Sequence, residues 1–315
     1  MIARLAALAA AVTLAACTTT PPSPGAFSFA VMGDTPYSAR EHAAYLKMLR
    51  VIDARPLAFV IHVGDIKGGG ACSDALYEER KREFDASAHP FIYTPGDNEW
   101  TDCRGERVGP ADPLERLARL RVVFFANDES LGRRRIAQRV QDRCADAACR
   151  CPVYRENRRW SHDGVVFVTL DFPGSENNVG FDAASDAEAK CRDQANLAWL
   201  DAAVDEAMGP GRRALVVAMQ ADIFNNKRHG YDAILAALPA SARRLGARPM
   251  LLVHGDTHAL TIDRPFRDAT GHALANLQRL ETYGSPFVGW VEVTVDPSGP
   301  RLFDFEPKLE AVVLP

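Results

Sequence analysis

The chain has 315 residues, 47% of them hydrophobic and 25% charged, with 22 Gly and 20 Pro. These ordinary proportions exclude collagen-like, coiled-coil and broadly disordered chains, and the length suits one large or two ordinary domains. A formal net charge of −4 is too mild to mark a dedicated nucleic-acid binder or an acidic tail protein.

Residues 1–20 carry one charged side chain, Arg4, followed by an apolar run over residues 5–16. At about a dozen residues this run is too short for a bilayer that needs roughly 20, and it has the form of a secretory signal. It ends Leu14-Ala15-Ala16-Cys17, with Thr18 to Thr20 and then Pro21, Pro22 and Pro24 behind it. This end resembles the lipobox of bacterial lipoproteins, in which the Cys becomes the lipid-bearing N-terminus. The resemblance implies lipidation at Cys17 and a membrane anchor in the cell envelope. Because Thr18 is not Asp, it also implies the outer membrane, facing the periplasm. An ordinary cleaved signal with an incidental Cys is the alternative. The expected organisation is a signal segment over 1–17, a linker over 18–26 and a single domain over 27–315.

From Phe27 onward, strand-like apolar runs alternate with helical patterns, which is the order of an α/β fold. Strands are expected at 27–32, 57–63, 91–94, 165–170, 215–219, 250–253 and 289–295. Asp112-Pro113-Leu114-Glu115 supplies an N-cap acid, Pro at the first helical position and Glu at the third. Leu114, Leu117, Leu120 and Phe124 then keep helical spacing. Over residues 133–159, nine Arg stand against Asp142, Asp146 and Glu156. This Arg- and Cys-rich segment, about 127–160, reads as an insertion or lid. It is either an electropositive rim steering a phosphate-bearing substrate or a solvated, disulfide-tied surface loop. Leu197, Leu200, Val204 and Met208 form a later helical stripe, closed by Gly209-Pro210.

Setting Cys17 aside leaves Cys72, Cys103, Cys144, Cys149, Cys151 and Cys191, an even set in an oxidising compartment and so up to three disulfides. The pair expected is Cys72 with Cys103, since both follow candidate site loops. A zinc site at Cys144, Cys149 and Cys151 is the rival reading, without a Cys-x-x-Cys pair or nearby His to support it.

Four expected strands end in acid-bearing turns: Gly33-Asp34-Thr35-Pro36, Gly64-Asp65-Ile66-Lys67-Gly68, Gly96-Asp97-Asn98-Glu99 and Gly255-Asp256-Thr257-His258. A Gly before each Asp lets the backbone turn close to a ligand, and the Asp is an oxygen donor for a hard cation. One Gly-Asp pair is a common turn. Four behind hydrophobic strands are hard to explain that way.

In order and spacing these blocks resemble the calcineurin-like metallophosphoesterases. Their signature is Asp-x-His, Gly-Asp-x-x-Gly, Gly-Asn-His-Glu/Asp, a His after a strand, and Gly-His-x-His. The second block matches completely, and residues 194–200 are similar to the helix before the family's fourth block. The resemblance spans about residues 27–258 and implies a four-layer α/β/β/α sandwich with a two-metal phosphoesterase site on one edge. By position, Asp34 and His258 would hold one metal, Asp65 would bridge both, and Asp97, Gln220 and Asp256 would hold the other. A phosphoryl group would be clamped by two ions roughly 3.5–4 Å apart, with attacking water at the bridge.

The departures matter as much as the matches. Pro36 replaces the first-block His, Asp97 the Asn, Asn98 the His often assigned as general acid, Gln220 the fourth-block His and Asp256 a further His. A one-residue slip would move the third-block ligand from Asp97 to Asn98. Four carboxylates, one amide and one imidazole make a hard, negative set that favours Mn²⁺ or Mg²⁺, with Ca²⁺ acceptable and Zn²⁺ less suited. Asn98 can hydrogen-bond a phosphate oxygen but cannot deliver a proton at neutral pH. Leaving-group protonation would then fall to His62 or His254, each otherwise a hydrogen-bonded structural residue. Lys67 and Tyr37 are candidate substrate contacts, with an exposed loop Lys and a packed Tyr as the plainer alternatives. Glu99 and Trp100 suit a structural turn, and Asn225 and Asn226 helix capping. Strand-end caps without metal are the alternative for the acids as a group, although converging carboxylates repel without a cation.

No Gly-x-Ser-x-Gly elbow, P-loop, His-Glu-x-x-His helix or dinucleotide fingerprint is present, and no nucleic-acid partner is expected. Two functions stay open. One is metal-dependent hydrolysis of a phosphate mono- or diester, on a phosphorylated small molecule or an envelope phosphoester. The other is an inactive metal-binding scaffold or binding lipoprotein of the same fold.

Overall fold

The computed structural model describes residues 24–105, 111–141, 149, 154–225 and 229–314. The signal segment, Cys17, residues 18–23 of the linker, Cys144, Cys151 and Asn226 lie outside the described residues.

Strands β1 (Phe27–Met32), β2 (Val60–His62) and β3 (Phe91–Tyr93) run parallel, joined by helices α1 (Ala39–Asp53) and α2 (Asp74–Ala86). Helix α3 (Pro113–Phe124) follows, capped as its sequence requires: the Asp112 side chain accepts from Leu114 N. Strands β4 (Arg139–Gln141), β5 (Tyr154–His162) and β6 (Val165–Thr169) then open a second sheet, and a four-residue turn, α4 (Gly174–Asn177), leads to α5 (Ala183–Met208). The remaining elements are β7 (Ala214–Ala218), α6 (Asp232–Leu245), β8 (Met250–His254), β9 (Thr261–Asp263), β10 (Leu277–Glu281), β11 (Phe287–Val295) and β12 (Phe303–Val312). The sheets have the orders β12-β11-β1-β2-β3 and β4-β5-β6-β7-β8-β10-β9.

Alternation along each strand sorts side chains into layers. Phe29, Val31 and Ile61 meet Phe167, Val216, Leu251 and Leu280 between the two sheets. From the opposite face of the first sheet, Met32 and Val60 pack with Tyr45, Met48, Tyr77, Phe84 and Leu120 of its helices. On the outer face of the second, Val166, Val168 and Val217 pack with Leu200, Val204, Ile234 and Leu238. The result is the four-layer α/β/β/α sandwich that the motif blocks imply.

All seven expected strands form. Strands β4, β5, β9, β10 and β12 were not anticipated, because short or edge strands carry polar residues on an open face or pair only through tertiary contact. Helix α5 extends well before its apolar stripe, since the turns ahead of Leu197 bury polar groups, notably Arg192 and Asn196.

The described part of segment 127–160 is not a lid. It supplies the edge strands β4 and β5, and three of its arginines serve structure. Arg158 Nη1 donates to Asn127 O at 2.7 Å, Arg155 pairs with Asp128 at 2.6 Å and Arg159 with Glu206 at 3.1 Å. Two disulfides are present among the described residues, the expected Cys72–Cys103 and Cys149–Cys191. The second removes Cys149 from the zinc reading. No described helix is long and apolar enough to cross a membrane.

Candidate metal centre

The parallel strands β1, β2, β3, β6, β7 and β8 all end at one edge of the sandwich, and the loops leaving them carry every expected ligand. Asp34, Asp65, Asp256 and His258 have φ of 52°, 57°, 84° and 66°, left-handed backbone that non-glycine residues adopt at a cost of about 1–3 kcal/mol each. Four strained positions among six expected ligands mark a constellation that the surrounding structure imposes. Two glycines are required by close approach. A Cβ on Gly255 would stand 2.0 Å from Asp34 Oδ2, and one on Gly174 would stand 2.8 Å from Asp97 Oδ2 and 2.9 Å from Asp256 Oδ1.

The polar groups form one connected web. Asp34 Oδ1 accepts from Asp256 N at 3.0 Å and lies 3.9 Å from His258 Nε2. His258 Nδ1 sits 2.6 Å from Ser285 O, so Nδ1 carries the hydrogen and the Nε2 lone pair faces the site. The Tyr37 hydroxyl donates to Asp65 Oδ2 at 2.5 Å and lies 3.3 Å from His258 Nε2. Asn98 Nδ2 donates to Asp65 Oδ2 at 2.6 Å, and Asn98 N to Asp65 Oδ1 at 3.1 Å. Across the cleft, Gln220 Nε2 donates to Asp97 Oδ1 at 3.1 Å while Gly174 N donates to Gln220 Oε1 at 2.5 Å. Ser175 Oγ lies 2.8 Å from Asp97 Oδ2, and Asp222 N donates to Asp256 Oδ2 at 2.8 Å. Thus Asn98 serves Asp65, and the Asp97 carboxylate faces Asp256 across Gly174.

Electrostatics set this web apart from ordinary caps. Burial pushes the Asp34, Asp65 and Asp97 carboxyls up, and neighbouring carboxylates push them further. Asp256 is pushed up to about 7, by burial first and then by Asp97. No Lys or Arg among the described residues pairs with any of the four. The nearby Lys67 is 6% exposed and donates instead to Asn98 O at 2.8 Å. Asp34 Oδ2 is buried with no hydrogen-bond partner. Such a set carries its full negative charge only around a cation. Oxygen donors with one neutral imidazole nitrogen fit a hard divalent ion. The ligands are not closed up, however. Among the described residues, the group of three acid, His or Cys side chains with ligand atoms within 4.8 Å is His42, Glu79 and Glu83. There Arg80 Nη1, 3.1 Å from His42 Nε2 and 2.9 Å from Glu83 Oε2, already supplies the positive charge.

The two candidate proton donors lie beneath the loops. His62 accepts from Gly64 N at Nδ1 and faces Thr35 O with Nε2, and burial drives it down to about 3. His254 Nδ1 lies 2.9 Å from Gly255 O, and burial drives it down to about 4. Both are neutral near pH 7, so neither holds the proton a general acid delivers; they brace the loops. Lys67 is likewise tied into the third loop and is not free at the mouth. Glu99 is the clamp of that loop. Its Oε1 accepts from Gly96 N at 2.7 Å, Tyr93 Oη at 2.8 Å and Asp65 N at 3.0 Å, and its Oε2 from Ile66 N at 3.3 Å. Trp100 is fully buried under it, with the Arg192 guanidinium 5.2 Å from its ring. Asn225 does not cap α6, whose N-cap is Tyr231.

The loop after β6 was not anticipated. Ser175, Glu176 and Asn177 are left-handed, and Tyr231 Oη pins the turn by donating to Pro173 O at 2.7 Å and accepting from Asn177 N at 3.0 Å. Asp97, Ser175, Glu176, Asn225, Tyr231 and Asp256 line a cavity of about 260 Å³. The available signal was Asp171-Phe172-Pro173-Gly174 behind a hydrophobic strand, another acid and glycine at a strand end without the Gly-Asp order.

No protein-family model and no curated protein sequence matches this chain. Solved structures do. A dimetal phosphatase from Danio rerio aligns over 90% of this chain and 99% of that one, with TM-score 0.54 and 12% identity. A 5'-nucleotidase from Candida albicans aligns over 89% of this chain and 50% of its own, with TM-score 0.42 and 10% identity. A serine/threonine phosphatase from Saccharomyces cerevisiae aligns over 92% and 81%, with TM-score 0.36 and 13% identity. With its four layers and its two mixed sheets, the chain has the metallophosphoesterase-type fold that it shares with a dimetal phosphatase.

Proposed function

We propose that this protein is a metal-dependent phosphoesterase of the cell envelope, hydrolysing a phosphate mono- or diester and held to the membrane through a lipid on Cys17. The observation that carries the reading is the meeting at one edge of the buried Asp34, Asp65 and Asp97 with the half-buried Asp256, with no cationic side chain among the described residues paired to them and Asp34 Oδ2 left without a partner. Asp34, Asp65 and His258 would hold one divalent ion, and Asp65, Asp97, Gln220 and Asp256 a second, Mn²⁺ or Mg²⁺ by the hardness of the donors. Bound there, such ions supply Lewis-acid polarisation of a phosphoryl oxygen and a water of lowered pKa. The chain's own groups do the rest. Asn98 and Tyr37 donate to Asp65 and hold its carboxylate in place, as Ser175 holds that of Asp97. Gly174 N fixes the Gln220 amide so that its NH₂ points at Asp97. The neutral His258 keeps Nε2 free of hydrogen. His62 and His254 are neutral near pH 7 and the Asn98 amide delivers no proton, so substrates with good leaving groups suit the site best.

A specific observation favours the second reading, a metal-binding scaffold without turnover. Both Asp65 oxygens and the Gln220 carbonyl oxygen are already taken by internal hydrogen bonds. Hydrolysis of aryl phosphate mono- and diesters by residues 18–315, in Mn²⁺, Mg²⁺, Ca²⁺ and Zn²⁺, decides between them. Activity abolished by Asp65→Asn supports the enzyme. Mn²⁺ binding by folded protein without turnover under any metal supports the scaffold.

A further inference from the structure

Among the described residues, the loops at the two poles of the sandwich carry opposite charge. Loops 33–38, 63–73, 94–105, 170–182, 219–225, 255–260 and 282–286, at the carboxyl ends of the parallel strands, contain ten Asp or Glu against Lys67 and Arg104. Loops 54–59, 87–90, 132–138, 163–164, 209–213, 246–249, 264–276 and 296–302, at the other end, contain ten Arg against three Asp and no Glu. Six of these arginines, Arg133, Arg134, Arg213, Arg248, Arg264 and Arg267, have no carboxylate within 4 Å among the described residues. All but the half-buried Arg248 are exposed. The described chain also starts at this pole. A Cβ on Gly25 would stand 3.3 Å from Arg213 Nη1, and Ala26 and Phe27 line a cavity of about 660 Å³ with Phe59, Arg134 and His162.

We infer that this arginine-rich base lies on a bilayer of anionic phospholipid, so that the carboxylate site at the opposite pole faces away from the membrane and takes soluble phosphoesters. Only eight residues separate Cys17 from Ala26, nine Cα steps with a reach of about 30 Å when fully extended. A chain held by the residues before Phe27 therefore keeps this base close to the surface. Guanidinium groups are suited to phosphate, and basic residues near an anionic surface are each worth about a factor of five in partitioning. The inference rests on the proposed envelope location. It also restricts the substrate of the proposed site, since a lipid still embedded in that bilayer cannot reach acid loops on the far pole.

The test is co-sedimentation of residues 18–315, which hold every described strand, helix and core cluster, with vesicles of phosphatidylcholine alone or mixed with phosphatidylglycerol at low salt. The wild type should partition to the mixed vesicles only. Arg133→Gln/Arg213→Gln/Arg267→Gln should bind on the order of 100-fold more weakly, and the matching Glu triple more weakly still. These side chains are exposed and touch no site group, so thermal melts and aryl phosphate hydrolysis should match wild type. Equal partitioning of all three proteins, equal binding to neutral vesicles, or tighter binding to a nucleic-acid polyanion than to the mixed vesicles at equal phosphate would overturn the inference. Hydrolysis without the vesicle difference rejects only the membrane face. The vesicle difference without hydrolysis rejects only the phosphoesterase.

Discussion

Glu99 gives a sharp test of how the third loop is built. Its carboxylate is fully buried and receives four donors, three of them on Oε1 and one, Ile66 N at 3.3 Å, on Oε2. Glu99→Ala leaves three backbone N–H groups and a tyrosine hydroxyl without an acceptor, at about 1–3 kcal/mol for each group that water cannot reach. Allowing for water reaching some of them, the loss should be about 4–6 kcal/mol, a large part of a total of about 5–15. Glu99→Gln with its oxygen at the Oε1 position keeps the three shorter bonds and sets an NH₂ against Ile66 N–H, a loss of about 1–2 kcal/mol. Removing a negative charge from beside Asp65 and Asp97 offsets part of that. At about 2–4 °C per kcal/mol for a domain of this size, the Ala variant should melt well over 8 °C below wild type and the Gln variant within a few degrees. Urea unfolding of metal-free protein measures both. Equal destabilisation by Gln and Ala, or an Ala variant within about 0.5 kcal/mol of wild type, would refute the clamp.

Tyr37→Phe removes the hydroxyl that occupies an Asp65 oxygen, so Mn²⁺ affinity by calorimetry should rise about tenfold, in line with the worth of a hydrogen bond to a charged group; weaker binding would mean that Tyr37 positions Asp65 for the ion. Asp256 is pushed up to about 7 when folded, against about 3.9 unfolded, so the folded state holds its proton more tightly. Its contribution is present below about pH 4 and is lost as pH rises through 7. Metal-free protein should therefore lose stability over that window, and Asp256→Asn or saturating Mn²⁺ should flatten the profile; a slope unchanged by Asn would assign it elsewhere. Cys72–Cys103 closes a separation of 31 residues, for which loop-closure entropy predicts about 3–4 kcal/mol. Replacing both by Ser should lower the urea midpoint accordingly, and a change under 1 kcal/mol would show that Glu99 and the core already hold the loop.

By itself the sequence determined the α/β order and the strand ends at which chemistry would sit, while the four layers came from the resemblance of its motif blocks to a known family. Strands buried on both faces read as unbroken apolar runs, as 165–170 and 215–219 do, and a Gly-Asp turn behind such a run needs no tertiary information to be noticed. The Asp112-Pro113 cap worked for the same reason, being a local exchange of hydrogen bonds. Tertiary structure alone decided what each polar side chain faces. His62 and His254 look like proton donors in a linear string, yet burial leaves both neutral. Lys67 looks free until Asn98 O comes within 2.8 Å of it from a loop 31 positions away. Ser175 enters the site only because a left-handed turn after β6 is pinned by Tyr231, and the arginine base exists only once eight loops meet at one pole. Periodicity and caps depend on neighbours in the chain. Charge, burial and hydrogen-bond partnership depend on neighbours in space, which the chain order does not contain.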